Sequence, residues 1–262
     1  MRYRATLAYD GAPFLGYQRQ VDGTPTVQGT VEAALTRING GESVTVYAAG
    51  RTDTGVHATG QVIAFDLAWR HGTDRLLRAV NGNLPDSVAL LDVCETDPDF
   101  QPRFNALHRT YRYTLVSAPV RKPLLRHTTW VTQHPLEADR MREAAGLLRG
   151  KRDWGALGKP PVGDNTVRDL HGVWLATEKR HDEHWLVFTV RANAFLYRMV
   201  RRTVGMLYDV GRGRLGLDAF ERMLDRAQID SGVTIAPPQG LVLTRVVYPG
   251  DPDATLDPKV LA

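Results

Sequence analysis

Between two alternating apolar stretches of this sequence lies the segment AAGRTDTGVHATG, residues 48–60, whose residue types could do chemistry. Gly50, Gly55 and Gly60 permit tight backbone paths or the close approach of a ligand. Arg51 and Asp53 stand two apart, with His57 four further on. A carboxylate there could act as a nucleophile, and an arginine beside it is a cation under all relevant conditions. An aspartate in a glycine-rich turn also commonly bonds its own backbone, so the structural reading stands beside the functional one at this point. Histidine is a residue type that can move protons, which makes His57 a candidate general base. Its spacing does not put it on a substrate, and the expectation for it is a structural, backbone-bonding role.

What surrounds this segment narrows the chemistry. The single cysteine, Cys94, excludes an internal disulfide, and the Cys/His clusters of a structural zinc site are missing from the sequence. Neither a phosphate-binding P-loop nor a recognisable Ser/His/Asp arrangement is present. The N-terminal MRYRATLAYDG reads as a strand rather than a secretory signal, and no apolar run approaches the length of a membrane span. The expectation is a cytoplasmic protein with no membrane or metal partner. A net charge of +4 and a pI near 9.3 are mildly basic and alone decide little. The arginines are more telling, because they recur in clusters: Arg109/Arg112, Arg121/Lys122/Arg126, Arg149/Lys151/Arg152, Arg198/Arg201/Arg202 and Arg212/Arg214. Arginine pairs with phosphate in bidentate fashion and stacks on bases, which favours a nucleic-acid partner. Solvated surface charge is the alternative, and charge alone does not separate the two.

Length and pattern give the elements that must hold these residues. A chain of 262 residues holds one large domain or two fused smaller ones. Tyr3–Tyr9 alternates as a strand, and Thr26 caps a helix with Val27, Val31, Leu35 and Ile38 on one face. Strands at Ser43–Ala48 and Gln61–Leu67 follow, then a helix capped by Thr73 and a strand at Ser87–Val93. The second half opens with a strand at Thr110–Val116, a short extension at His127–Val131 and a helix from about Leu136 to Leu148. A hairpin of Gly172–Ala176 and His184–Arg191 comes next, turning at Glu178–Glu183. Asn193 then caps a long helix reaching Val210 with Gly211 as its C-cap; a helix at Leu217–Ala227 and a strand at Leu241–Tyr248 complete the chain. Each half reads β-α-β-β-α-β, the order of ferredoxin-like and RNA-recognition folds, so the fold class is α+β with antiparallel sheets. The expected division is 1–106, 107–248 and a flexible tail at 249–262, which lacks any apolar period.

GRTDTGVHA closely resembles the catalytic motif of the TruA family of tRNA pseudouridine synthases, and other segments match that family in order along nearly the whole chain. They are LAYDGAPFLGYQRQ and TVQGTVEAAL, NGNLP at Asn81–Pro85, FQPRFNALHRTYRY at Phe100–Tyr113, TVRDL at Thr166–Leu170, NAFLYRMVRRTVG at Asn193–Gly205 and APPQGLVL at Ala236–Leu243. The resemblance implies a pseudouridine synthase fold with an active-site cleft between the two halves. It implies Asp53 as the nucleophile of a reaction that breaks the uridine N-glycosidic bond, turns the uracil and rejoins it through C5, with no cofactor or metal. Attack at C1′, expulsion of uracil to a glycal and addition at C6 are all open to that carboxylate. The implied targets are uridines 38, 39 and 40 of the tRNA anticodon arm, and the implied assembly is a homodimer.

The same resemblance assigns the surrounding residues. Burial alone raises a carboxylate's pKa, and Arg201, matching the family's active-site basic residue, is expected to pair with Asp53 and offset that. Tyr111 matches the tyrosine that stacks on the target base; strand alternation puts Arg109, Tyr111 and Tyr113 on one face and Arg112 on the other. Tyr113 is expected in the core. Arg51 is expected to bind the RNA backbone and help hold the base out of the stack, and Phe195 and Leu243 to wall the uracil pocket. Arg198 and Arg202, one turn apart on the expected helix, are candidate RNA contacts, as is Arg109. Two departures from the family are Tyr17, where tryptophan is commoner, and the DWGAL segment at 153–157, which replaces an Asp-Phe…Phe pattern. Two rival readings are a non-catalytic RNA-binding protein with two RRM-like halves and a metal-dependent hydrolase using Asp53 and His57. The first lacks aromatic RNP signatures and the second lacks further carboxylates near the motif.

Overall fold

Alternation becomes strand and the 3.6 period becomes helix along most of the chain, described for residues 1–21 and 23–252 in a computed structural model. In the first half run β1 (Arg2–Tyr9), α1 (Val27–Ile38), β2 (Val46–Ala48), β3 (His57–Asp66), α2 (Thr73–Asn81) and β4 (Val88–Glu95). Then follow β5 (His108–Ser117), β6 (Trp130–Thr132), α3 (Ala138–Gly146), β7 (Gly150–Asp153), β8 (Val167–Arg180), β9 (Glu183–Ala192), α4 (Met199–Gly211), α5 (Leu217–Asp225) and β10 (Leu241–Val247). Among the described residues the chain divides into two compact units, one of Met1–Leu107 with Val242–Pro252, the other of His108–Leu241.

In the first unit β1 lies between β4 and β3, antiparallel to both, and β2 pairs antiparallel with β3. One face of β1 carries Tyr3, Ala5, Leu7 and Tyr9, all buried, because alternate side chains of a strand share a face. β3 is buried continuously from Val62 to Phe65, the pattern of a strand whose two faces are both covered. Helix α1 begins where expected. The Thr26 hydroxyl accepts the Gly29 N–H at 3.3 Å, and Val27, Val31, Ala34 and Leu35 are buried. Thr26→Ala is expected to cost about 1 kcal/mol of stability, read as a lowered urea midpoint at unchanged slope.

In the second unit β5 pairs antiparallel with β9, β9 with β8, and β8 with β7, while β6 runs parallel to β5. Its core holds Trp154, Tyr113, Phe188, Leu115, Met141 and Phe220. The Tyr113 hydroxyl donates to the Pro237 carbonyl at 2.8 Å, and burial pushes that phenol well above its ordinary pKa. The core placement expected of Tyr113 is observed.

Several elements differ from the sequence expectation. The last strand follows the second half in sequence, yet Val242 and Leu243 pair in parallel with His57 and Ala58 of β3. Strand pairing within each unit is therefore mainly, not wholly, antiparallel. The β8–β9 hairpin is longer than its apolar pattern, because its polar ends pair by backbone alone up to Arg180 and Glu183. Thr73 starts α2 without capping it; Gly72, with φ at 76°, holds the N-cap position. Helix α4 starts at Met199 rather than after Asn193, since Arg198 adopts a left-handed backbone (φ 60°) and Asn193 spends its side-chain oxygen on the Asp169 and Ala194 N–H groups. Strand β7, sequence GKRD, carries no apolar signal. The expected tail lies outside the described residues from 253 on. Before that point the chain is anchored, because Asp251 takes Arg4 at 3.1 Å and the Tyr248 N–H at 2.9 Å.

Candidate active site

The Asp53 loop joins β2 to β3, and its backbone is held at nearly every step. Ala49 N–H donates to the Val62 carbonyl at 2.9 Å. The fully buried Gln61 donates from Nε2 to the Gly50 carbonyl at 2.8 Å. The Thr52 carbonyl accepts the Tyr17 N–H at 3.1 Å, and the Thr52 hydroxyl meets the Tyr9 hydroxyl at 2.8 Å. The Asp53 carbonyl accepts the Val56 N–H at 3.1 Å, closing a turn in which Gly55 has φ 76°. That positive φ explains the glycine. His57 then opens β3, with its Nδ1 accepting the Gly11 N–H at 3.0 Å. This is the backbone-bonding role expected of His57. Its Nδ1 also lies 3.0 Å from an Asp10 carboxylate oxygen.

The loop thereby presents a half-buried Asp53 and an exposed Arg51 on a backbone with little freedom. Leu243 is fully buried and pairs with Ala58, just beyond the loop. Among the described residues no group of three or more His, Cys, Asp or Glu could hold a metal ion, as the hydrolase reading would need.

The second unit gathers the other candidates. Tyr111 lies on β5 with its ring edge-to-face on Phe195, centroids 5.1 Å apart at 89°, a favourable aromatic arrangement. Phe195 is half-buried in the loop 193–198 rather than on a helix. Arg109, 8% exposed, donates from Nη1 to the Asn193 carbonyl at 2.7 Å, so it supports that loop from beneath. Arg201 donates from Nε to the Ala236 carbonyl at 2.8 Å and accepts the Ala236 N–H on its own carbonyl at 3.0 Å. This ties it to the APPQGLVL segment. Arg198 lies exposed over the Tyr197 ring at 4.9 Å, ahead of α4 and not on a shared stripe with Arg202. Arg202 sits lower in pKa than an ordinary arginine, through burial first and then the nearby Arg198 and Arg201.

The match beyond geometry is broad. The sequence profile described as tRNA pseudouridine synthase fits residues 5–105 and 144–249, most of the chain; β5, β6 and the start of α3 fall between the two matched stretches. The chain belongs to the tRNA pseudouridine synthase family. A relative from Neisseria gonorrhoeae named tRNA pseudouridine synthase A is 43% identical over 256 residues, covering 95% of this chain and 92% of its own. One of the same name from a Geobacillus species is 39% identical, covering 94% and 98%. A solved Cbf5-Nop10-Gar1 complex gives a TM-score of 0.37 at 13% identity, covering 92% of this chain and 49% of that one, and a likeness that loose carries no weight. The fold is that of this family, α+β with sheets of mixed sense.

Sequence reasoning missed the support of the loop. Tyr9, Gln61 and Gly11 all lie in segments read as strand or turn, and nothing in their spacing reveals a hydroxyl or amide aimed at the loop backbone. A polar residue at a core position of a strand, as Gln61 is, was the one available signal.

Proposed function

We propose that this tRNA pseudouridine synthase isomerises uridines 38, 39 and 40 of the tRNA anticodon arm, with Asp53 as its nucleophile. As a family member it is an isomerase of tRNA, and the positions and residue roles are the added reading. The observation that carries it is the Asp53 loop itself: a carboxylate fixed by a turn and by bonds at carbonyls 50, 52 and 53. A preset nucleophile reacts without first being ordered.

In this reading the anionic Asp53 displaces or labilises uracil at the glycosidic bond. The freed ring turns and C5 bonds to C1′ as Asp53 is released; the C5 proton leaves to solvent and N1 takes one up, so the product is an isomer and no co-reactant is consumed. Tyr111 stacks on the extruded base, and its perpendicular contact with Phe195 keeps the ring from turning. Arg201, from the family resemblance, keeps the carboxylate charged. Arg51 takes backbone phosphate, and Leu243 with Phe195 excludes water from the uracil. Arg198 and Arg202 are the candidate phosphate contacts, while Arg109 acts through the loop that it supports. The enzyme works in the cytoplasm as a homodimer on one tRNA. A base inside a stem must be unstacked, which favours recognition of shape and phosphates over base edges.

Anticodon-arm transcripts carrying one C5-tritiated uridine each test the positions. Release is expected from arms labelled at 38, 39 or 40, and not from arms labelled elsewhere in the stem. Equal release from other stem positions would overturn the assignment. A non-catalytic RNA-binding protein would release nothing from any of them.

A further inference from the structure

We infer that the Tyr9 hydroxyl is a positioning group for the reaction, acting through the Thr52 hydroxyl to fix the peptide that carries the nucleophile. The inference rests on the reading of Asp53 given above. Tyr9 ends the buried face of β1 that begins Tyr3, Ala5, Leu7, and it is 4% exposed. Packing alone would be met there by phenylalanine. A buried hydroxyl costs free energy unless it is bonded, so the oxygen needs a further reason to be present. Its partner, 2.8 Å away, is the 8% exposed side chain of Thr52, the residue immediately before Asp53.

The contrast with Tyr17 sharpens the point. That ring packs near Tyr9 at 6.2 Å, but its hydroxyl is buried without a partner among the described residues, and Tyr17 serves the loop through its backbone N–H instead. Thr52 is thus gripped twice, at its carbonyl by Tyr17 and at its hydroxyl by Tyr9. Displacement of Thr52 would break both bonds and swing the Asp53 side chain, and rotation of the 52–53 peptide would break the one at the carbonyl. Substrate binding uses other groups, so loss of this grip is expected in kcat and not in KM.

The test measures tritium release from tRNA transcripts labelled at C5 of every uridine, for Tyr9→Phe, Thr52→Val, Thr52→Ser and the double variant Tyr9→Phe/Thr52→Val. Tyr9→Phe and Thr52→Val are each expected to lower kcat about 10-fold at unchanged KM, with the double variant no slower than the worse single one. Thr52→Ser, which restores an oxygen, should recover most of the rate lost in Thr52→Val, a recovery that holds the inference testable even if Tyr9→Phe folds poorly. Wild-type kcat in Tyr9→Phe, a change confined to KM, or losses that multiply in the double variant would overturn it. Asp53→Asn is run alongside. If that variant is inactive while Tyr9→Phe is unimpaired, only the positioning role fails; if it is active, the nucleophile and the positioning role fail together.

Discussion

Asp53→Asn is expected to lower turnover by on the order of 10⁴-fold or more while the protein folds as before. The amide matches the carboxylate in shape but carries no charge and cannot act as an anionic nucleophile. The turn around it is closed by backbone, the Asp53 carbonyl with the Val56 N–H, and the flanking carbonyls are held by Gln61 and Tyr17. None of those bonds uses the Asp53 side chain. The variant should therefore keep its fold and a cooperative melt, and tRNA affinity should persist, because the proposed stacking and phosphate contacts come from other residues. Loss of activity with stability and binding retained is the signature of a group used in the chemical step.

Gly11→Ala should do nearly the opposite, damaging fold and rate together. A Cβ at Gly11 would lie 2.1 Å from the Val56 carbonyl oxygen, and the obstacle is backbone that no rotamer change can move. The Gly11 N–H is also the donor to His57 Nδ1, at the foot of the Asp53 loop. Relief of the clash must push Gly11 and the Asp53–Val56 turn apart. Overpacking of this kind costs about 2–3 kcal/mol, which for a chain of this size lowers Tm by roughly 4–12 °C. A displacement near 1 Å at the nucleophile can cost about 100-fold in rate. Calorimetry and single-turnover rates measured below the lowered Tm check the two effects separately, and an alanine variant with wild-type Tm would show that the approach of Gly11 to Val56 is not tight.

How far the sequence revealed this protein depended on whether a feature leaves a local mark. The Asp53 loop stood out because it combines arginine, aspartate and three glycines between two strands, and the segments that resemble the family gave it a context. Helix α1 was legible from its apolar face and the Thr26 hydroxyl, both local. The return of β10 to β3 was not, since the pairing of Val242 and Leu243 with His57 and Ala58 spans most of the chain. Strand β7 was missed because GKRD is held by backbone bonds to β8 and needs no apolar face. The start of α4 was misplaced by the helix-like pattern of residues 194–198, which the left-handed Arg198 and the Asn193 bonds to Asp169 override. The same loop carries Phe195 onto Tyr111, so the element least readable as structure is one that shapes the candidate site. Arg109 shows the limit of charge patterns: it counts toward a basic cluster in sequence, yet it is buried and bonded to a backbone carbonyl.

The central claim is that Asp53 is the nucleophile of a metal-free isomerisation, and one measurement addresses it directly. Wild type and Asp53→Asn are incubated with unmodified tRNA transcripts tritiated at uracil C5, in EDTA and without added nucleotide. The account predicts steady tritium release by the wild type and none above background from Asp53→Asn. Release by Asp53→Asn at a comparable rate would contradict it, as would wild-type activity that disappears in EDTA and returns with a divalent metal.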